Sequence, residues 1–368
     1  MKRSNLKKVD YTFLTLIIVF LILGLAMLYS ASTVESYQNF GNTSHFFVHQ
    51  LIYGVLIGTI AMYLFSKIDY HFWKKIIPFL VGGSLILLIF VKIPGIGFTF
   101  GGASRWIKFG PLFFQPAELA KFSAIFYLAG WISSRGQQIK NFYYGILPAI
   151  SIIGLFALLI LWQPDVGTMS ILVITSLAMF FLGGIQVKQL FTIIGLGAIA
   201  SFILIKLEPY RAQRLSTFLN PKIDPLGIGY QINQALLAIG GGGFWGYGYG
   251  FSRQKYNYLP QAFGDSIFAI MAEELGFIRI VLILGLFLVF AIRGIKIGLK
   301  APDSFGKILA IGVISAIMTQ VIINIAAITG LLPLTGIPLP FFSYGSSALI
   351  VLMAELGIML NISRQAAL

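Results

Sequence analysis

Acidic side chains at the ends of apolar stretches are the first candidates for chemistry. Asp265 stands immediately before a long apolar stretch, and Glu273 and Glu274 lie about two helical turns further along it. Ionisable groups inside a membrane are costly and mark functional sites by default. Burial would raise the pKa of the Asp265 carboxyl and nearby cations would lower it, so Asp265 is a candidate general base near neutral pH. Its alternative role is a helix cap, whereas we expect Glu273 and Glu274 to be structural, paired with Arg279 or with backbone donors.

Two further carboxylates have both a structural and a functional interpretation. Asp165, in the motif Gln-Pro-Asp-Val-Gly-Thr at 163–168, could cap the helix that follows it or orient a binding site. Glu118 and Lys121 are three residues apart, so they would share a helix face and could pair. We keep both carboxylates as candidate substrate contacts.

Basic residues near these acids suggest an anion site. Arg105 and Lys108 belong to the segment Ala-Ser-Arg-Trp-Ile-Lys-Phe-Gly at 103–110, where Trp and Lys would also serve as interfacial anchors. The functional alternative is that Arg105, Lys108 and Lys121 form a positively charged site that binds an anionic headgroup.

The segment 207–265 is too long to be a simple connector. It carries four further basic candidates: Arg211, Arg214, Arg253 and Lys255. Its run of four glycines at 240–243 lacks the spacing and the Lys-Ser/Thr ending of a nucleotide-binding loop. We therefore predict a folded loop at the membrane surface and exclude a nucleotide site.

Residues 330–342 indicate a re-entrant segment. Three prolines and two glycines within eleven residues prevent a continuous helix, although the segment is apolar throughout. Irregular backbone at membrane depth is tolerated only where it is buried or lines a cavity. Ser343 follows this segment directly and is a further candidate for a substrate contact.

Metal and thiol chemistry have no support in the residue pattern. The chain has no cysteine and three histidines, His45, His49 and His71. The first two could share a helix face, but neither a third histidine nor a nearby acid completes a metal site. We interpret all three as non-ligands.

Composition places these candidates on a membrane protein. Of the 368 residues 58% are hydrophobic and 10% are charged, against about 25% charged in a soluble domain. Apolar segments of about 20 residues predict membrane spans, which excludes a cytosolic enzyme, a fibrous repeat and disorder. We predict one all-α polytopic domain over 1–368 with ten spans, at roughly 11–31, 47–66, 76–92, 116–133, 143–161, 168–184, 188–206, 266–293, 305–328 and 342–362.

The net charge of +14 is mainly a topology signal. With ten spans and the N-terminus inside, 15 basic and three acidic residues fall on the cytoplasmic side, while the segments 32–46, 162–167 and 329–341 contain no Lys or Arg. Such an asymmetry predicts that both termini are cytoplasmic. The asymmetry explains the positive charge without nucleic-acid binding. It also places 207–265 on the outer side of the membrane.

Five ordered motifs between residues 100 and 350 resemble the SEDS family, the FtsW, RodA and SpoVE proteins of bacterial cell-wall synthesis. They are Arg-Trp-Ile (105–107) with Gln-Pro-Ala-Glu-Leu-Ala-Lys (115–121), Gln-Pro-Asp-Val-Gly-Thr (163–168), the glycine-rich loop (240–250), Tyr-Leu-Pro (258–260) with Asp265 and Glu-Glu-Leu-Gly (273–276), and Gly-Leu-Leu-Pro-Leu-Thr-Gly-Ile-Pro-Leu-Pro-Phe (330–341). The 103–107 and 251–260 segments look closer to FtsW than to RodA.

The resemblance implies a peptidoglycan glycosyltransferase that polymerises lipid II at the outer face of the bacterial cytoplasmic membrane, with a class B penicillin-binding protein as partner. It implies that Asp265 is the essential carboxylate. The expected pyrophosphate contacts are Arg105, Lys108, Lys121, Arg211, Arg214, Arg253 and Lys255. A divalent cation, Mg²⁺ or Mn²⁺, is compatible with the resemblance but has no identifiable ligands in the sequence.

Two departures from the family pattern leave other functions open. Gln261–Gly264 replaces the usual Glu-x-His-Thr before the aspartate, and Ser346 replaces a glycine. The alternatives are a lipid II flippase and a non-catalytic membrane scaffold of the division machinery. A transporter should carry polar groups through the midplane, whereas most candidates here fall on the predicted outer face.

Overall fold

The computed structural model describes residues 8–100, 103–110, 112–207, 209–220 and 227–366. It has a helix at each of the ten predicted spans. These helices are α1 (Tyr11–Phe40), α2 (His45–Lys67, with π-helical turns at Gln50–Leu56), α3 (Tyr70–Phe90), α4 (Pro116–Arg135), α5 (Leu147–Trp162), α6 (Val166–Leu182), α7 (Val187–Leu207), α10 (Ile267–Leu299), α11 (Ser304–Ile328) and α12 (Ser346–Gln365).

Length and apolarity qualify seven of the described helices to cross a membrane: α1, α2, α3, α5 (counted from Phe142), α10, α11 and α12. Helices α4, α6 and α7 coincide with the remaining three predicted spans. The predicted helical polytopic membrane protein is therefore confirmed.

Aspartates set the starts of four helices. The carboxylates of Asp10, Asp69, Asp165 and Asp303 each accept a hydrogen bond from a backbone N–H in the first turn of α1, α3, α6 and α11. Such caps satisfy donors that have no partner within the helix. The structural interpretation of Asp165 is thus correct at the level of geometry.

The segment before α4 differs from the all-helical expectation. It forms an antiparallel sheet of β1 (Gly97–Phe100), β2 (Ala103–Phe109) and β3 (Leu112–Phe114), in the order β1-β2-β3. Ser104 pairs with Thr99 and Trp106 pairs with Phe98, which leaves Arg105 as the extra residue of a β-bulge. Bulges re-aim the side chain they carry.

The long segment 207–265 contains two helices that were not predicted, α8 (Pro209–Leu219) and α9 (Ile228–Gly241). Its glycine-rich turns lie directly on the backbone of α10, because a methyl group at Gly246 would overlap the Glu274 carbonyl oxygen. Gly276 interrupts α10 with φ 76° and ψ 172°. At this interruption the carbonyls of Glu273 and Glu274 accept hydrogen bonds from the backbone N–H groups of Tyr247 and Gly248.

The predicted re-entrant segment is irregular and buried, as expected. Between α11 and α12 the chain is non-helical, and Leu334, Ile337, Leu339, Phe341 and Phe342 are buried. Helix α1 packs directly on this segment, because a methyl group at Gly24 would meet the Phe341 carbonyl oxygen. The ring of Phe20 stacks on those of Phe287 and Phe341, which joins α1, α10 and the re-entrant segment in one core.

Candidate active site

Asp265 lies where the long segment meets α10, with its side chain facing several polar groups. Gln231 of α9 donates from Nε2 to Asp265 Oδ1 at 3.5 Å and to Ser266 Oγ at 3.0 Å. A methyl group at Gly336 would lie 3.8 Å from Asp265 Oδ2. The side chain therefore lies between α9 and the re-entrant segment, and the residue as a whole is partly exposed.

The environment of Asp265 changes its acidity. Dense packing of protein around the carboxyl raises the pKa of Asp265 to about 6, although the nearby Arg214 guanidinium and the hydrogen bonds from Gln231 and Ser266 act in the opposite direction. With that pKa, roughly nine in ten of these carboxyls are ionised at pH 7 and can accept a proton. A general base works best when its pKa is near the working pH.

Arg214 is the cation that the structure places beside Asp265. It belongs to α8, and its Nη1 donates to the Leu334 carbonyl at 2.9 Å. This bond ties the positive charge to the re-entrant segment. The side chain of Arg211, on the same helix, lies outside the part of the chain that the structure describes.

Asn324 fixes the backbone around Asp265. Its Nδ2 donates to the Asp265 carbonyl at 2.8 Å and to the Ile337 carbonyl at 2.7 Å. One amide on α11 therefore holds both the catalytic candidate and the re-entrant segment. The sequence pattern assigns Asn324 no role, because its partner Asp265 is 59 residues away along the chain.

Ser343 supports the same loop from the other side. Its Oγ donates to the Gly264 carbonyl at 2.7 Å and accepts from the Leu339 N–H at 2.7 Å. The next residue, Tyr344, donates its backbone N–H to the Phe263 carbonyl at 2.9 Å. Ser343 was proposed as a substrate contact, and the structure uses its hydroxyl to hold the segment that precedes Asp265.

Asp165 and Arg105 organise a neighbouring turn between α5 and α6. Asp165 is buried and accepts from the backbone N–H of Thr168 at 3.0 Å and from its Oγ1 at 2.9 Å. Arg105 donates to the carbonyls of Gln163 and Pro164. The turn borders the re-entrant segment because a methyl group at Gly167 would meet the Ile337 side chain and the Thr335 carbonyl.

Glu118 and Lys121 pair as predicted, at 3.0 Å, and both are buried. Lys121 Nζ also donates to Gln320 Oε1 at 2.8 Å, and Gln320 Nε2 donates to the Pro338 carbonyl at 2.9 Å. The pair thus reaches the re-entrant segment through Gln320 instead of contacting Asp265.

The basic residues near the sheet include Lys92, which the sequence pattern does not single out. Lys108 is exposed, with Nζ 5.7 Å from the Phe113 ring centroid. Lys92 lies just after α3, with Nζ 5.6 Å from the centre of the Trp162 ring. Burial and the nearby Arg105 lower the pKa of Lys92.

The remaining basic candidates contact α10 and the long segment itself. Lys255 Nζ pairs with Glu274 Oε1 at 3.1 Å in a buried setting, and the Arg253 guanidinium lies 5.1 Å from the Tyr247 ring centroid. Glu273 accepts from the backbone N–H groups of Arg253 and Gln254 and from Ser252 Oγ. Glu274 accepts from the backbone N–H groups of Gly250 and Ser252, so the predicted backbone donors of both glutamates are present.

The predicted pairing with Arg279 is not seen, because that guanidinium donates to the carbonyls of Trp245 and Leu275. Arg279 instead holds the glycine-rich turn against α10. The glutamates and this arginine all secure the loop, but through separate contacts.

The donors around Asp265 do not fit a divalent cation. The described residues contain no group of three His, Asp or Glu side chains that could hold a metal ion. The groups nearest the Asp265 carboxyl are an amide, a hydroxyl and the Arg214 guanidinium, and a guanidinium repels a cation. His49 Nδ1 lies 3.0 Å from the Tyr344 hydroxyl, and His71 lies between Asp69 and Asp303.

A family model described as "Cell cycle protein", FTSW_RODA_SPOVE, matches residues 10–368. The chain belongs to the FtsW/RodA/SpoVE family. It is 43% identical to the stage V sporulation protein E of Bacillus subtilis over 97% of this chain and 98% of that protein. It is 40% identical to a protein named probable peptidoglycan glycosyltransferase FtsW from Geobacter sp. strain M18, over 96% of each.

The chain is also similar in fold to a solved structure. A chain from a structure described as the coordination of polymerization and crosslinking by a peptidoglycan synthase complex superposes with a TM-score of 0.79 at 27% identity, covering 97% of this chain and 98% of that one. The resemblance to this family inferred from five motifs is therefore confirmed, and the FtsW and SpoVE relatives agree with the expected affinity to FtsW.

Proposed function

We propose that this chain is a peptidoglycan glycosyltransferase that polymerises lipid II, with Asp265 as the general base. The observation that carries the proposal is a carboxyl whose pKa is about 6, held beside Arg214 between α9 and the re-entrant segment. The name of the FtsW relative supports the same reaction class.

The geometry suits a glycosyl transfer in which Asp265 moves the proton. The 4-hydroxyl of the acceptor sugar attacks the anomeric carbon of the donor and gives its proton to the Asp265 carboxylate. The bond from that carbon to the lipid pyrophosphate breaks, and the pyrophosphate leaves with the bonding electrons. The Arg214 guanidinium, fixed by its bond to Leu334, stabilises the negative charge that develops on the leaving group.

The other carboxylates near this region are less suited to the task. Both carboxylate oxygens of Asp165 accept hydrogen bonds from Thr168 or Gln115. Glu118 is paired with Lys121. A base must have a free lone pair within reach of the hydroxyl it deprotonates. Asp265 meets that requirement best, since its side-chain hydrogen bonds from Gln231 and Ser266 are long, at 3.5 Å.

The charge asymmetry favours an active site at the outer face of the bacterial cytoplasmic membrane, with both termini in the cytoplasm. A class B penicillin-binding protein is the proposed partner, because the structural neighbour is part of a peptidoglycan synthase complex that polymerises and crosslinks. We also propose a role in cell division, which the family description "Cell cycle protein" supports.

The decisive experiment is polymerisation of labelled lipid II by the purified chain in lipid nanodiscs, alone and with a class B penicillin-binding protein. Asp265→Asn should lower the rate by about 10²- to 10⁴-fold, the range for loss of a general base, while thermal unfolding shows an intact fold. Asp69→Asn, the same chemical change at an exposed helix cap, is the matched control and should retain activity. Polymerisation by Asp265→Asn at the parental rate would refute the base assignment.

Lipid II translocation is the second candidate function, because Glu118 and Lys121 are buried between the spans, as expected of a transport path. The same nanodisc protein, reconstituted in vesicles, can be tested for headgroup translocation. Translocation without polymer would favour a flippase. Neither activity in the presence of the partner would favour a scaffold.

A further inference from the structure

A small cavity lies under the re-entrant segment, away from Asp265. It has about 40 Å³ of free volume and lies between α4, α11 and α12. Five polar side chains line it: Glu118, Lys121, Gln320, Ser343 and Glu355. A polar cavity of this size has room for water.

Four of these side chains already have partners. Lys121 binds Glu118 and Gln320, and Gln320 also holds the Pro338 carbonyl. Ser343 uses its hydroxyl on Gly264 and Leu339. The cavity wall is therefore ordered by direct protein contacts.

Glu355 is different. Only 7% of its surface is exposed and it lines the cavity, yet it makes neither a hydrogen bond nor an ion pair with any residue that the structure describes. A buried polar side chain without a partner is rare and costly. Its position facing open space indicates that something else satisfies it.

The charges around the cavity do not balance. Two carboxylates, Glu118 and Glu355, face one ammonium group, Lys121, and the other lining residues are uncharged. With all three ionised, the buried cluster would carry a net charge of −1, and an uncompensated buried charge is strongly unfavourable. One added positive charge removes the penalty.

A proton fits this requirement better than a metal ion. A metal ion would need several oxygen ligands, but the oxygens of Gln320 and Ser343 are already in hydrogen bonds. The Lys121 ammonium would also repel it. A proton on a carboxyl needs no ligand set, and the resulting O–H can donate to a water molecule in the cavity.

We propose that Glu355 is a proton-binding site within the membrane, which holds one proton while Lys121 stays paired with Glu118. The neutral carboxyl leaves Lys121 free to hold Gln320, and Gln320 in turn holds Pro338 of the re-entrant segment. Loss of the proton gives Lys121 a second carboxylate to bind, which weakens its hold on Gln320. The site thereby connects protonation in the membrane with the segment that supports Asp265, and it does not depend on the proposed glycosyl transfer.

Infrared spectroscopy of the full chain in a detergent without ester groups tests the proposal without any activity assay, because a protonated carboxyl has a carbonyl stretch that a carboxylate lacks. At neutral pH the parental chain should show such a band, and Glu355→Gln should lose it. Asp69→Asn, which alters an exposed carboxylate at another helix start, should keep the band. An identical band in Glu355→Gln and the parental chain would overturn the proposal.

A second variant tests the charge balance and replaces the first if Glu355→Gln does not fold. Glu118→Gln leaves one carboxylate for Lys121, so Glu355 should release its proton and the band should again be lost. A band that stays in Glu118→Gln would contradict the proposed balance. The unfolding temperature, measured in a sodium salt and in a choline salt, tests for a metal ion at the same place. If sodium stabilised the parental chain but not Glu355→Gln, the site would bind a metal ion, and the proton site would be overturned.

Discussion

Asp265 and Asp165 are the same residue type next to the same re-entrant segment, and their surroundings give them different roles. Asp165 caps α6 and is enclosed by Thr168 and Gln115. Asp265 keeps partial exposure and only long side-chain hydrogen bonds. The two opposing influences on the pKa of Asp265, burial and nearby cations, could be predicted from the sequence, but not which of them is larger. The hydrogen-bond partners of Asp265 could not be predicted, because Gln231 is 34 residues away in sequence.

The pKa of Asp265 predicts that the plot of polymerisation rate against pH has an acid limb, that is, a fall in rate on its low-pH side. Because only the ionised carboxylate accepts a proton, kcat/KM should fall as the pH drops through about 6 and then decrease tenfold per pH unit. Polymerisation rates at subsaturating lipid II from pH 4.5 to 8 measure this limb. A rate that rises as the pH falls below 6 would contradict Asp265 acting as a base.

Arg214 provides a second residue-scale prediction. Its charge lowers the pKa of Asp265, so Arg214→Gln should shift the acid limb to higher pH and also reduce the maximal rate, since the leaving pyrophosphate loses its cation. Arg214→Lys is the matched control and should leave the limb near its parental position. A limb that moves to lower pH in Arg214→Gln would show that the two side chains do not interact as described.

At the scale of elements, the length of the apolar segments predicted the positions of the spans well. Short-range sequence patterns did not predict the sheet or the two helices of the long segment. All ten spans have helices because about 20 apolar residues have few other stable states in lipid. The sheet at 97–114 and the helices α8 and α9 were missed, since short amphipathic pieces are stabilised by tertiary contacts that the local sequence does not reveal. Helix α1 also continues to Phe40, where Gly41 ends it with a positive φ.

The contact of α1 with the re-entrant segment is testable at Gly24. A methyl group there would overlap the Phe341 carbonyl oxygen, so Gly24→Ala should destabilise the protein by about 1–3 kcal/mol through overpacking and lower its unfolding temperature in detergent. Gly82→Ala, in α3 with open space around it, is the matched control and should be neutral or stabilising. Equal unfolding temperatures for the two variants would argue against the close packing of α1.

At the scale of the whole molecule, the proposed orientation can be tested with single cysteines, because the parental chain has none. Lys108 and Lys300 are both exposed, and the charge asymmetry places them on opposite sides of the membrane. Lys108→Cys should react with an impermeant maleimide in intact cells, whereas Lys300→Cys should react only after permeabilisation. The reverse pattern would invert the topology and place Asp265 on the cytoplasmic side.

The position of α1 also has a consequence for how the protein is made. Its neighbours are late in the chain: Phe13 stacks on Phe290, Asp10 pairs with Arg293, and Ser30 bonds to Glu274. At about 5–20 residues per second, α1 leaves the ribosome some tens of seconds before these partners exist. The first helix must therefore wait in the bilayer, or be shielded by the insertion machinery, until α10 arrives, and assembly of the active-site core is a late event in biogenesis.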